Sequence, residues 1–364
     1  MKLKEISAFL ERYAPLMYQE SYDNSGLQVG DYSMELTGAL LTLDVTEELM
    51  EEALEKGVNL VIAHHPVIFE GVKSLTGKNM SERVIMTAIK NDIAIYAAHT
   101  NIDAVSNGVN GKICEKLELE NCRILEPLES VLKKLVVFVP LSHAEKVREA
   151  MFENGGGQIG EYDNCSFNME GKGTFRGGEH TNPFVGEKGS MHTEEEVRIE
   201  TIFPSHEKGR VIGAMLQAHP YEEVAYDIYP LENKFKKVGM GMVGELKKEM
   251  SEEEFLQELK KIFSTGCIKH TALLGKKIKK VAVSAGAGSF LLRKAISSGA
   301  DIFVSGDFKY HQFFDAEGRI IIADIGHFES EQFTRELFYE LLTKKFPKFA
   351  VHLSDVNTNP IKYF

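Results

Sequence analysis

The sequence predicts an α/β protein: two related three-layer αβα lobes forming one core, interrupted by a ferredoxin-like βαββαβ insert. Short apolar runs alternate with helical patterns in the first and last thirds, the mark of a parallel sheet covered on both faces. Those two thirds echo one another. Gly57-Val-Asn-Leu-Val-Ile-Ala-His64-His65-Pro66 is answered by Gly299-Ala-Asp-Ile-Phe-Val-Ser-Gly-Asp307, and Ile93-Ala-Ile-Tyr-Ala-Ala-His99 by Ile321-Ile-Ala-Asp-Ile-Gly-His327. The middle third has a different order of elements. The expected divisions are 1–126, 127–240 and 241–364.

Taken in order, Met1 to Arg12 reads as an amphipathic helix. Strands are expected at Gly38–Leu43, Asn59–Ala63 and Ile93–Ala98. Helices are expected at Thr46–Lys56, with Thr46 as N-cap, at Ser81–Asn91 and at Asn107–Leu117. In the middle, Leu132–Val139 is a strand and Ser142–Asn154 a helix opened by a Ser142-x-x-Glu145 capping box. Glu161–Met169 and Val197–Phe203 are strands, joined by the polar, Gly-rich loop Gly171–His192, whose composition predicts mobility. Ser205 caps a helix to Ala218, and Val224–Tyr229 is the last strand, which completes the βαββαβ order. The final third has strands Lys280–Ser284, Asp301–Ser305 and Arg319–Ala323. Its helices are Phe290–Ser298 and one long helix, Phe328–Lys344.

Composition narrows the class. The 364 residues leave room for two or three domains. Forty-two basic against 54 acidic groups give a net charge of −12, which argues against a general nucleic-acid binder. No apolar run has the length of a membrane span, and the first residues lack the apolar region of a secretion signal. The four cysteines are scattered with no Cys-x-x-Cys pair, so a reduced cytoplasmic setting is expected.

The chemistry gathers at strand ends. His64 and His65 close a strand before Pro66, which holds the preceding residue extended. Just past the carboxyl end both imidazoles can enter one crevice, where open α/β sheets bind ligands. His327 and Glu331 are four apart at the opening of a helix and share one face. The pair suits a divalent metal, with His as a neutral nitrogen ligand and Glu as a possible bridge. Asp103, four residues after His99, adds a carboxylate. His99 is either a ligand or a donor behind the ligands. These groups are too few to saturate two ions without water, which is what a catalytic site needs. His311 is a candidate for substrate contact or proton transfer. The turn Gly286-Ala-Gly288 could cradle an anion, although a tight strand-to-helix turn explains it more simply. Gly77-Lys78 has the wrong spacing for a P-loop.

Together, Ser21-Tyr-Asp-Asn-Ser-Gly-Leu-Gln-Val-Gly30, Ala63-His-His-Pro66, His99-Thr-Asn-Ile-Asp103, Ser305-Gly-Asp-Phe-Lys-Tyr-His311 and His327-Phe-Glu-Ser-Glu331 resemble the NIF-three-like family. Its bacterial members are called GTP cyclohydrolase 1 type 2 homologues. The resemblance implies two divalent metal ions, ligated by His64, His65, Asp103, His327 and Glu331, with Glu331 bridging and His99 behind them. It also implies toroidal homohexamers. The insert resembles a PII-like, cation-tolerance-protein type of domain found in longer relatives. The imidazole content favours zinc or another transition metal over magnesium. The expected function is a metal-dependent hydrolase that directs a metal-bound hydroxide at a small nucleotide-like substrate. The alternative is a non-enzymatic metal-binding regulator whose insert senses a metabolite.

Overall fold

The apolar runs of the first third become the strands Ala39–Thr42, Leu60–Ala63 and Ala94–Ala97, every residue of which is buried. The computed structural model describes all 364 residues and has a mixed α/β fold with three sheets. In the five-stranded sheet these three strands lie side by side and parallel. Gly26–Val29 closes one edge antiparallel to Ala94–Ala97. Val351–Leu353, from the far end of the chain, closes the other edge parallel to Ala39–Thr42. Fully burying a Val, Ile or Leu side chain contributes roughly 1.5–3 kcal/mol. A typical hydrogen bond contributes about 0.5–1.5 kcal/mol. Burial of these runs therefore outweighs the ladder in holding their register.

The six-stranded sheet has its own parallel trio, Lys277–Ala287, Ile302–Gly306 and Ile321–Asp324. It is extended by the long strands Phe235–Ser251 and Leu119–Leu128 on one side and by Lys269–His270 on the other. Phe255, Leu259 and Phe263 of helix Glu252–Phe263 are fully buried in the core beneath it. That helix starts on a capping box in which Ser251 and Glu254 satisfy each other's backbone donors. Residues Met1–Pro127 and Lys237–Phe364 make one compact unit, and Leu128–Lys236 make a second.

The second unit carries the four-stranded antiparallel sheet, in the order Ser166–Arg176, Met191–Pro204, Leu132–Pro140, Tyr226–Leu231. Helices Ala144–Glu153 and Lys208–Ala218 share its apolar core with Leu135, Val137, Val139, Val197, Ile199 and Phe203.

Several local expectations change. Thr46 does cap its helix, accepting from Leu49 N. Ser142 does not: Leu141–His143 is a 3-10 turn, and the Ser142 hydroxyl pairs with His143 Nδ1. The Ser205 hydroxyl donates to Val131 O, again in a 3-10 turn and not as a cap. Only the ends of the loop expected at Gly171–His192 are strand, and 177–190 remain irregular. Ser166–Arg176 and Met191–Pro204 pair from Ser166↔Thr201 to Arg176↔Met191, because glycines here extend a ladder on an open sheet face. The long helix at Phe328–Lys344 is two helices, His327–Glu331 and Thr334–Lys345. The break lets the first turn aim at the strand ends while the second packs Leu337, Phe338 and Leu342 inward.

Candidate metal centre

Each functional side chain follows the carboxyl end of a buried parallel strand. His64 and His65 leave Leu60–Ala63 while their backbone amides still donate to Thr42 O and Leu43 O, so both remain anchored to the sheet. His99 follows Ala94–Ala97, and Asp103 sits one turn on in the short helix Thr100–Ala104. His327 and Glu331 form the helix after Ile321–Asp324, entered through Gly326 at φ 97°. Gly286, at φ 57°, is required by the site. A Cβ there would stand 2.2 Å from Glu331 Oε1. The amides of Gly286 and Gly288 donate to the hydroxyls of Ser330 and Ser305, so this turn serves the fold and not an anion.

The Glu331 carboxylate faces two sets of groups. Its Oε1 lies 3.6 Å from His64 Nε2, which is 3.8 Å from Asp103 Oδ1. Its Oε2 lies 3.0 Å from His65 Nε2 and 3.1 Å from His327 Nε2, and those two nitrogens are 3.3 Å apart. His64 Nε2 and Asp103 Oδ1 are buried without a hydrogen-bond partner, and buried Glu331 Oε2 meets only the two imidazole nitrogens. Buried polar atoms are almost always satisfied. Two orphans converging with a carboxylate and further imidazole nitrogens are the donor set that a divalent cation takes. Three overlapping groups could hold a metal ion: His64, Asp103 and Glu331; His65, His327 and Glu331; and His64, His65 and His99. His311 joins none of them. It lies exposed on the 3-10 turn Tyr310–Ala316, against the rings of Tyr310 and Phe314.

Every imidazole is held from behind through Nδ1: His64 by Ala98 O (2.9 Å), His65 by Asp44 (2.8 Å), His99 by Asp23 (2.7 Å) and His327 by Asp307 (2.8 Å). Such partners fix the tautomer and turn Nε2 toward the centre. Asp23 also accepts from Thr100 N and the hydroxyls of Thr100 and Ser25, and Asp44 from Thr358. Asp307 occupies a left-handed φ of 59°, a strained backbone that places its carboxylate beside His327. Asp23 and Asp44 were not picked out from the sequence as part of this site. For Asp44 the available signal was a carboxylate just past an apolar strand, the same signal that marked Asp103.

The charged groups of the cluster perturb one another's proton affinities. Burial opposes protonation of His65, but the Asp44 hydrogen bond and the nearby Glu331 carboxylate outweigh it and raise the imidazole to about 10. Burial likewise opposes protonation of His327, and Glu331 and Asp307 raise it to about 9. Burial is the largest influence on Asp103 and pushes it up to about 7. Glu331 goes well below the usual carboxylate range because the surrounding imidazoles outweigh its burial. Asp23 is also lowered, its burial outweighed by hydrogen bonds from His99 and Thr100. A cation entering here displaces imidazole protons.

Residues 1–360 match the family Duf34/NIF3 (NGG1p interacting factor 3). A Halalkalibacterium halodurans protein named GTP cyclohydrolase 1 type 2 homolog is 40% identical over 97% of this chain and 96% of its own length. A Bacillus subtilis protein of the same name is 39% identical over 99% and 98%. The crystal structure of a Bacillus cereus protein related to NIF3 superposes with a TM-score of 0.87 at 39% identity, covering 100% of this chain and 99% of that one. No helix is long and apolar enough to cross a membrane. With the strand-end motifs, the fold and a match over nearly its whole length in agreement, the chain belongs to the Duf34/NIF3 family.

Proposed function

We propose that this protein is a two-metal hydrolase acting on a small nucleotide-like substrate. The observation that carries the reading is that the two oxygens of Glu331 face two different ligand groups. One divalent ion would be held by His64, Asp103 and Glu331 Oε1, the other by His65, His327 and Glu331 Oε2, with zinc or another transition metal favoured by the imidazoles. Two such ions, when bound, acidify a shared water and clamp a phosphoryl or carbonyl oxygen. The chain's own part is to orient that chemistry. Asp44 and Asp307 hold the half-exposed imidazoles in one tautomer. His99, fixed by Asp23, stands behind the ligands and keeps Nε2 free toward the same space. No cluster role is assigned to His311.

The proposed division is two related αβα lobes, 1–126 and 241–364, with the parallel trio in each sheet as the repeated element. The insert, 127–240, is read as ferredoxin-like and PII-like on its βαββαβ order. The proposed assembly is a toroidal homohexamer in the cytoplasm; a monomer by light scattering in dilute solution overturns it. The printed name of the relatives, GTP cyclohydrolase 1 type 2 homolog, makes GTP the first substrate to try.

The test starts with metal content of protein purified without a metal-affinity tag. The expected result is two ions per chain in the wild type, and a reduced complement in His327→Ala and Glu331→Ala. An unchanged complement removes the site. The loaded protein is then given GTP and a panel of phosphoesters. Turnover that depends on both metal and Glu331 is expected; its absence leaves a metal-binding regulatory assembly.

A further inference from the structure

The second unit has a cavity of about 580 Å³ on the sheet face opposite its two helices. Strand alternation explains the division. Val137, Val139, Val197 and Ile199 point into the helical core, so their neighbours Phe138, Glu196 and Arg198 turn to the other face. The cavity's walls include Phe138, Phe175, Phe184 and Tyr221. Tyr221 packs at 6.0 Å from Phe175 and 6.3 Å from Phe184. Residues after Arg176 cover the space. That segment is tied down by Asn182 N donating to Glu222 and by Phe184 stacking edge-on with His143.

Among these rings sits Glu196, only 8% exposed. Its Oε1 accepts one hydrogen bond, from the Tyr221 hydroxyl at 3.0 Å. No cationic side chain pairs with it, because the neighbouring Arg198 is committed to Glu200. Its Oε2 has no protein partner. Gly173 keeps open the room this oxygen occupies: a Cβ there would stand 2.1 Å from Oε2. An ionised carboxylate accepts several hydrogen bonds, and burying one with a single hydroxyl is unfavourable unless a donor or cation completes it. Aromatic faces around such a carboxylate favour a cation over a neutral donor, through the ring quadrupole. The rim also carries Lys172, Arg176 and Arg198 with Glu170, Glu222 and Glu223, and Glu196 is set apart from these charges by its burial among the rings. A mostly apolar pocket of this size has the character of a small-molecule site.

We propose that this cavity binds a small organic cation, with an ammonium or amidinium group on Glu196 and an apolar or planar body against Phe175, Phe184 and Tyr221, the Phe138 ring being already faced by the Arg198 guanidinium. The site is independent of the metal-centre reading. It needs neither the cluster nor an ion.

The probe is phenethylamine, titrated calorimetrically into the full-length chain, with 2-phenylethanol as its neutral counterpart. Saturable binding of one amine per chain is expected, at least tenfold tighter than the alcohol. Glu196→Gln should weaken the amine at least tenfold and Phe175→Ala severalfold. His327→Ala should leave it unchanged, which separates this site from amine ligation at the metal centre. Equal binding of amine and alcohol, no saturation, or unaltered binding in Glu196→Gln overturns the proposal. The amine-to-alcohol comparison on the wild type decides it alone if Glu196→Gln does not fold.

Discussion

The two ligand groups that share Glu331 differ in their exposure. On one side His64 has no exposed side-chain surface and Asp103 only 15%. On the other, His65 and His327 keep 23% and 32%. Orientation differs as well: His64 is held by the backbone oxygen of Ala98, whereas His65 and His327 are held by carboxylates. The inner group is thus part of the sheet's core, while the outer group faces solvent.

The largest expected effect separates the two groups directly. His64→Ala deletes a fully buried side chain and its hydrogen bond to Ala98 O and should destabilise the chelator-treated fold by about 2–5 kcal/mol, as for cavity-forming core truncations. His327→Ala, on the open side, should cost less than that and remove only the outer ion, because its side chain is partly solvated. Urea unfolding with metal analysis of each variant checks this; equal losses in the two variants would break the distinction.

Next in size are the orienting carboxylates. Asp44→Ala and Asp307→Ala should each weaken the outer ion by about 10–100-fold, the usual cost of losing an imidazole's partner. The inner ion should be untouched. Competition with a metal-sensitive dye, titrated to two equivalents, resolves the two affinities. A matching loss at the inner position would mean that the groups act as one.

The smallest effect is in pH dependence. His65 and His327 are raised to about 10 and about 9, so their contribution to the metal-free fold is complete below the ordinary histidine value of about 6.5. It is lost as pH rises through 9 and 10. Asp103, raised to about 7, works in the same direction: ionising it costs stability as pH climbs from about 4 to 7. Glu331 and Asp23, both lowered, lose their contribution on the acid side. The thermal midpoint of chelator-treated protein should therefore fall between pH 7 and 10, and His327→Ala should flatten the fall. A midpoint that rises over that range contradicts the proton placement.

The strands carrying the cluster were legible because each is a short, mostly apolar run followed by chemistry-bearing residues. Leu60–Ala63 before His64 and Ile321–Asp324 before His327 needed no tertiary information to be found. The supporting carboxylates were harder to read. Asp23 lies 76 residues from His99, and Asp44 lies 21 from His65. No local period connects such pairs. Local rules also misplaced two helix starts. Ser142 and Ser205 have the chemistry of caps, yet a 3-10 turn after Pro140 and another after Pro204 already bring the chain round.

By itself the sequence determined the alternation of strand and helix, the family, and a short list of imidazoles and carboxylates, since these rest on periodicity and contiguous motifs. Only the tertiary structure decided that the last strand, Val351–Leu353, joins the sheet built by the first third. It also placed one carboxylate, Glu331, between two candidate ligand groups of unequal exposure, and left Glu196 among aromatic rings with the Tyr221 hydroxyl as its hydrogen-bond partner. Those outcomes depend on which distant segments pack together and how much water they exclude, and neither quantity is local to the chain.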